Sequence, residues 1–200
     1  GSWQVGNIEE VSYKVSTSAK SSTLDIPGYG AGIKYFCEEV EKRSGGKVKM
    51  QLFLDAQLGG SADEMIGGCT TGAFEFITLN QGSWGDYTDG FMPFNIPFLF
   101  DSKEIAYEFM DGEQGRIIRD KIIEDTGVRV LCFYDMGYRH LTNDKRTVKT
   151  ADDIKGLKVR TQADPYQMAP FEAMGASVTT TAYSELFSAL QQGLVDDQEN

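Results

Sequence analysis

The alternation of strand-like and helix-like segments at the start of the chain constrains the fold more than any other feature. Apolar residues recur at helical spacing through 33–40, and Ser61 with Glu64 forms the capping box that opens a second helix. Strands are predicted at 11–17, 48–54 and 73–79. Because a β-α-β-α-β order joins its strands through helical crossovers, it predicts a mostly parallel sheet with helices on its faces.

The alternation resumes after an irregular segment. Glycines and prolines exclude a long regular element from 80–100, and its apolar part, 91–100, is interpreted as a packed loop rather than a partner-docking patch. The continuous apolar run 128–134 predicts a strand buried on both faces. Shorter strands are predicted at 138–142, 157–160, 177–180 and 194–196, with helices after Ser102, through 117–122, and beginning at Thr150, at Asp164 and before Leu186. We place a boundary near 126–128, which gives an α/β lobe over 11–126 and a second over 127–200.

The net charge of the chain argues against some classes of binding partner. The formal net charge is −11 and the pI is about 4.6, which argues against binding to nucleic acid or to an anionic membrane surface. It does not exclude an anionic ligand, because exposed charges are screened within about 10 Å at moderate salt. No apolar run is long enough to span a bilayer. Gly1-Ser2 is typical of a cleaved tag, so the native N-terminus and any signal peptide are expected to have been removed.

Arg160 is the leading candidate for a binding residue. It ends a short apolar strand that follows Gly156, and small ligands bind at strand tips in open α/β sheets. The planar guanidinium donates two parallel hydrogen bonds to a carboxylate, which makes a small organic acid the expected ligand.

Other polar and aromatic residues are candidates for the same site. Arg139 either assists with the ligand or forms an inter-strand salt bridge with an acid such as Asp135. Trp84 and Tyr183 either stack on the ligand or pack in the core. The remaining candidates for polar contacts are Lys20, Asn80, Gln81 and Asn200.

The sequence gives little support to catalysis. Cys132 and His140 could be neighbours on adjacent strands, but no third group is present to orient them. There is no phosphate-binding glycine loop, metal-ligand spacing or nucleophile elbow, so no cofactor or metal is expected. Cys37, Cys69 and Cys132 lie in apolar stretches and are predicted to be buried free thiols rather than disulfides.

Six segments, in the same order along the chain, resemble the DctP-type solute-binding proteins of TRAP (tripartite ATP-independent periplasmic) transporters. They are 42–48 (KRSGGKV), 57–60 (QLGG), 95–100 (NIPFLF), 137–143 (GYRHLTN), 154–160 (IKGLKVR) and 189–200 (ALQQGLVDDQEN).

The resemblance implies a two-lobed, periplasmic-binding-protein-like α/β fold, each lobe a mostly parallel sheet flanked by helices. It implies that Arg160 pairs with the carboxylate of the ligand, assisted by Arg139 and Asn200. It further implies a periplasmic, non-enzymatic and monomeric carrier that delivers a small organic acid to a membrane permease. A ligand-sensing domain of a regulatory protein is the alternative, although no basic DNA-binding helix precedes Val11.

Three departures from the family pattern stand out. Asp197 occupies the place of a usual glycine, and Thr161-Gln162 replaces the apolar-Pro pair that commonly follows the arginine. The family is also about half as long again, so we expect the chain to lack the C-terminal third.

Overall fold

Contacts between residues divide the chain into two units, Gly1–Leu79 and Asn80–Asn200, each containing its own sheet. The structure is a computed structural model that describes residues 9–26 and 28–199. The lobe boundary near Thr126 concerns the organisation of a complete two-lobed protein and stays a prediction.

The first unit is the parallel sheet that the sequence predicts. Its strands are β1 (Val11–Thr17), β2 (Val48–Phe53) and β3 (Phe76–Thr78), and its helices are α1 (Tyr29–Arg43) and α2 (Ala62–Thr70). Strand β1 is central and pairs in parallel with both β2 and β3. Val15, Ile33 and Met50 are buried in the core between this sheet and α1. Helical crossovers on a parallel sheet explain why both helices fall between strands in the sequence.

Local capping fixes where α2 begins. Ser61 Oγ accepts a hydrogen bond from Glu64 N at 3.2 Å, and Glu64 Oε2 accepts one from Ser61 N at 3.1 Å. This reciprocal pair satisfies two of the amide groups that a helix leaves without an internal partner. The capping box predicted from the sequence is therefore confirmed.

The second unit combines an irregular segment, several helices and a mixed sheet. The helices are α3 (Met92–Asn95), α4 (Lys103–Asp111), α5 (Glu113–Thr126), α6 (Pro165–Ala173) and α7 (Tyr183–Gln191). The strands are β4 (Leu141–Asn143), β5 (Lys158–Thr161), β6 (Ser177–Thr180) and β7 (Asp197–Glu199), in the order β4-β7-β5-β6. Strand β5 runs parallel to β6 and β7, and β4 runs antiparallel to β7. The last described strand therefore lies inside the sheet.

The irregular segment 80–100 contains only short elements. Two 3-10 turns, Gln81–Ser83 and Asp89–Phe91, precede the single turn of α3. The Phe94 ring packs against the rings of Phe100, Phe109 and Phe133 with centroid distances of 6.2, 5.8 and 5.3 Å. The segment is thus a packed loop around Phe94, but Phe98 is 99% exposed.

Two predictions from apolar patterning are wrong. The run 128–134 forms no strand, and Leu131 is 58% exposed instead of buried on both faces. Apolar composition does not supply the neighbouring backbone that a strand needs, and within residues 9–26 and 28–199 none pairs with this run. Cys132, in the same run, is exposed, whereas Cys37 is buried and Cys69 is intermediate. The prediction of buried thiols therefore fails for Cys132.

Candidate functional site

Arg160 lies on β5, an inner strand of the second sheet, with β7 on one side and β6 on the other. It is opposite Gln198 on β7 and Thr179 on β6, and only 3% of its surface is exposed. Its guanidinium donates two hydrogen bonds to Thr181 O, from Nε at 2.9 Å and from Nη2 at 2.6 Å. The backbone carbonyl thereby fixes one edge of the guanidinium, and no bond from Nη1 is formed within the described part of the chain.

Arg160 forms no salt bridge with an acidic side chain among residues 9–26 and 28–199. Burial is the main cause that lowers its pKa, and the nearby Arg139 acts in the same direction, whereas Glu199 and Tyr183 raise it. A guanidinium keeps its proton in proteins despite such shifts. A buried cation is normally paired, so the site carries a positive charge that an anion would stabilise.

Arg139 forms an ion pair with Glu199 on β7. Its Nε donates to Glu199 Oε1, and its Nη2 donates to Oε2 at 2.8 Å and to the backbone oxygen of Glu199 at 3.0 Å. A salt bridge was one of the two interpretations from the sequence, but the acid is Glu199 and not Asp135, which accepts from Tyr107 and from Gly137 N. The pair is close to neutral, which leaves Arg160 as the cation of the site.

Tyr183, another predicted ligand residue, is the first residue of α7 and is 56% exposed. It follows by two positions Thr181, whose backbone oxygen accepts the hydrogen bonds of Arg160. Asn200, also predicted to contact the ligand, lies outside the described residues.

The three candidates between β3 and α3 lie around one short turn. Asn80 is the N-cap of the 3-10 turn that begins at Gln81, and both are partly exposed. Trp84 follows that turn, is 4% exposed, and packs on the Phe91 ring at 5.3 Å. This packing favours the core interpretation of Trp84; contact of Asn80 and Gln81 with a ligand stays a prediction.

Lys20 belongs to the first unit, at the end of the loop that follows β1. Its Nζ lies 3.7 Å from Asp55 Oδ1, and both side chains are substantially exposed. Asp55 also accepts from Ser21 N at 3.2 Å. An exposed ion pair of this kind leaves the Lys20 ammonium largely solvated, and its proposed ligand contact stays a prediction.

A buried network of polar side chains, which the sequence reasoning missed as a unit, lies just after Arg160. Gln167 Nε2 donates to Asn95 Oδ1 at 3.0 Å and to Gln162 Oε1 at 3.3 Å, and Asn95 Nδ2 donates to Asp164 Oδ2 at 2.9 Å. Asp164 Oδ1 caps α6 by accepting from the backbone of Tyr166 and Gln167. We call Asn95, Gln162, Asp164 and Gln167 the amide network. In the sequence, Gln162 stood out as a departure from the pattern of the family that the chain resembles, and Asp164 as the predicted start of a helix.

Within residues 9–26 and 28–199, no helix is long and apolar enough to cross a membrane. Nor do the described His, Cys, Asp and Glu side chains include a group of three or more that could hold a metal ion.

A mixed sheet flanked by helices that buries an arginine without a salt bridge in the described part of the chain is typical of one class, the α/β proteins that bind small anions. Comparison with known families makes this specific, since the family described as "Bacterial extracellular solute-binding protein, family 7" (DctP) matches residues 19–200. The chain belongs to this family.

Relatives and solved structures agree with this assignment. A solute-binding protein from Verminephrobacter eiseniae is 37% identical over 179 residues, which are 90% of this chain and 53% of that protein. A TRAP periplasmic solute-binding protein from Polaromonas sp. JS666, bound to D-erythronate, superposes with a TM-score of 0.86 at 36% identity, covering 96% of this chain and 61% of the other. The sugar acid binding protein DctPAm from Advenella mimigardefordensis, in complex with galactonate, gives a TM-score of 0.88 at 29% identity, with coverages of 97% and 61%.

These likenesses confirm the predicted family and the α/β solute-binding-protein fold. The chain spans about half the length of the relative from Verminephrobacter eiseniae.

Proposed function

We propose that the whole protein is a periplasmic carrier that captures a small sugar acid by its carboxylate and delivers it to a TRAP permease. The observation that carries the proposal is the buried guanidinium of Arg160, which has no carboxylate partner in the described part of the chain. A carboxylate from a ligand would supply the missing negative charge and would accept the hydrogen bonds of the guanidinium edge that Thr181 O leaves unused.

Support for the sugar-acid class comes from two similar structures, one holding D-erythronate and the other galactonate. Both ligands combine one carboxylate with several hydroxyl groups. Polar side chains near Arg160 suit such a ligand, because Gln198 lies beside it across the sheet and Tyr183 comes two residues after the Thr181 carbonyl that Arg160 bonds. We assign Asn80, Gln81 and Asn200 to further polar contacts with the hydroxyl groups.

We infer that the protein binds its ligand without chemical change. Cys132 is exposed, and its segment is not part of a strand beside His140, so the pairing that a nucleophilic cysteine would need is not supported. A carrier of this kind acts as a monomer, and the energy for transport is supplied at the permease.

The hydrogen bonds of Arg160 alone cannot account for micromolar affinity. A hydrogen bond to a charged group contributes roughly 1.5–3 kcal/mol net, whereas a micromolar dissociation constant requires about 8 kcal/mol. Hydroxyl contacts and the exclusion of water from the bound acid must contribute the remainder. This requirement favours a ligand with several hydroxyl groups over a simple monocarboxylate.

The test is calorimetry on the full-length protein with D-erythronate and galactonate. Arg160→Lys keeps the positive charge but loses the planar fork, so the dissociation constant should rise by about tenfold to a hundredfold. Arg129→Lys is the matched control, because Arg129 is exposed, and it should leave the affinity unchanged. An unaltered dissociation constant in the Arg160→Lys variant would refute the assignment.

A further inference from the structure

The amide network joins two of the segments of the second unit that carry candidate ligand residues. Gln162 follows Arg160 by two positions, and Asn95 belongs to α3, at the end of the segment that contains Asn80 and Gln81. Gln167 on α6 connects them, since its Nε2 donates to both Gln162 and Asn95. These three amide residues are each at least nine-tenths buried, so their hydrogen bonds have little competition from water.

The turn that carries Asn80 and Gln81 lies directly on this network. A Cβ atom added to Gly82 would overlap Gln162 Oε1 and would lie 2.6 Å from Gln167 Nε2. A Cβ atom at Gly85 would lie 3.1 Å from Ala163 O. Both glycines therefore allow the backbone of this turn to approach the residues that follow Arg160.

We infer that Gln162 is a positioning residue for the organic-acid site, which holds the Asn80–Gln81 turn in place beside the strand end that carries Arg160. The inference rests on the proposed function. Gln162 does not itself need to contact the ligand, because it acts through Gln167 and through the backbone of Gly82. A loosened turn would misplace its polar groups relative to a carboxylate held by Arg160, and the affinity would fall.

The test is a double-mutant cycle measured by calorimetry with D-erythronate and galactonate on the full-length protein. Gln162→Met keeps the length of the side chain but removes its hydrogen bond, and should weaken binding by about threefold to tenfold. In the Arg160→Lys background the same change should weaken binding by less than about twofold, because the ligand is then no longer fixed at the arginine. A purely structural role would lower the melting temperature and give the same loss of affinity in both backgrounds.

Two further variants make the result decisive. Gln162→Pro also removes the hydrogen bond to Gln167, because a proline ring can neither accept nor donate it, and should reproduce the loss, which covers the case in which Gln162→Met does not fold. Gln51→Met is the matched control, since Gln51 is an exposed residue of β2, and should bind like the unaltered protein.

The outcomes separate the two proposals. If the unaltered protein binds neither acid, the proposed function fails and the positioning role fails with it. If the unaltered protein binds while Gln162→Met and Gln162→Pro bind equally well, or lose the same factor with and without Arg160, only the positioning role is overturned.

Discussion

Replacing Asp197 by asparagine should stabilise the protein at neutral pH. Asp197 lies on β7, is 0% exposed, and neither of its carboxylate oxygens has a hydrogen-bond partner within the described residues. Burial is the main cause that raises its pKa to about 6, and Asp196 and Asp144 act in the same direction, while Arg146 and Lys145 oppose it.

The expected gain in the free energy of unfolding follows from the rise in the pKa of Asp197. A rise from 3.8 to about 6 is a shift of about two units, which corresponds to about 3 kcal/mol at 1.36 kcal/mol per unit. Screening by nearby solvent reduces this figure, and we expect about 1.5–3 kcal/mol. Because the unfolded chain loses its proton near pH 3.8 and the folded chain holds it to about pH 6, the free energy of unfolding falls as pH rises across that window and is then constant.

Urea denaturation at about pH 4 and about pH 7.5 measures the effect. Asp197→Asn should be more stable than the unaltered protein at the higher pH, and the two should converge at the lower pH. Asp152→Asn is the matched control, because Asp152 is an exposed carboxylate and its replacement should change stability little at either pH. Equal stability of Asp197→Asn and the unaltered protein at about pH 7.5 would show that the carboxylate is hydrated or paired, and would refute the reasoning.

Two other predictions concern local structure. Ser61→Ala removes the side-chain cap of α2 and should lower the free energy of unfolding by about 1 kcal/mol in urea denaturation; no change would mean that the capping box contributes nothing to stability. Iodoacetamide should label the exposed Cys132 much faster than Cys37, which is 6% exposed and whose thiol pKa burial raises to about 11, and peptide mapping by mass spectrometry that finds equal rates would contradict the described environments.

The parts of the fold that local patterns define could be predicted from the sequence. Alternation placed β1 and β2, and the capping residues Ser61 and Asp164 marked the starts of α2 and α6. The same reasoning failed for the run 128–134, because an apolar run forms a strand only when neighbouring backbone is available to pair with it. Local signals therefore identify elements whose ends are fixed by their own residues. They fail where the formation of a strand depends on pairing with distant backbone.

The candidate site, like the fold, could be predicted from the sequence only in part. A strand tip and a guanidinium were enough to single out Arg160, but the partners of the arginines depend on how distant strands align. Glu199 meets Arg139 because β7 pairs with β4, and Thr181 O meets Arg160 because β6 ends beside β5. The register of these strands is set by tertiary packing and leaves no local pattern in the sequence.

The order of strands in the second sheet has a consequence for the order in which the protein can fold. Strand β1 has both of its described partners once the chain is present as far as Thr78, whereas β4 and β5 do not pair directly and, among the described strands, are bridged by β7 at Asp197–Glu199. As the chain emerges N-terminus first, from the ribosome or from an export channel, β4 must wait for more than fifty further residues before it can pair with β7. The first sheet can therefore form early, while the strand pairing around Arg160 forms late, and until then the unpaired strand edges of the second sheet are open to aggregation.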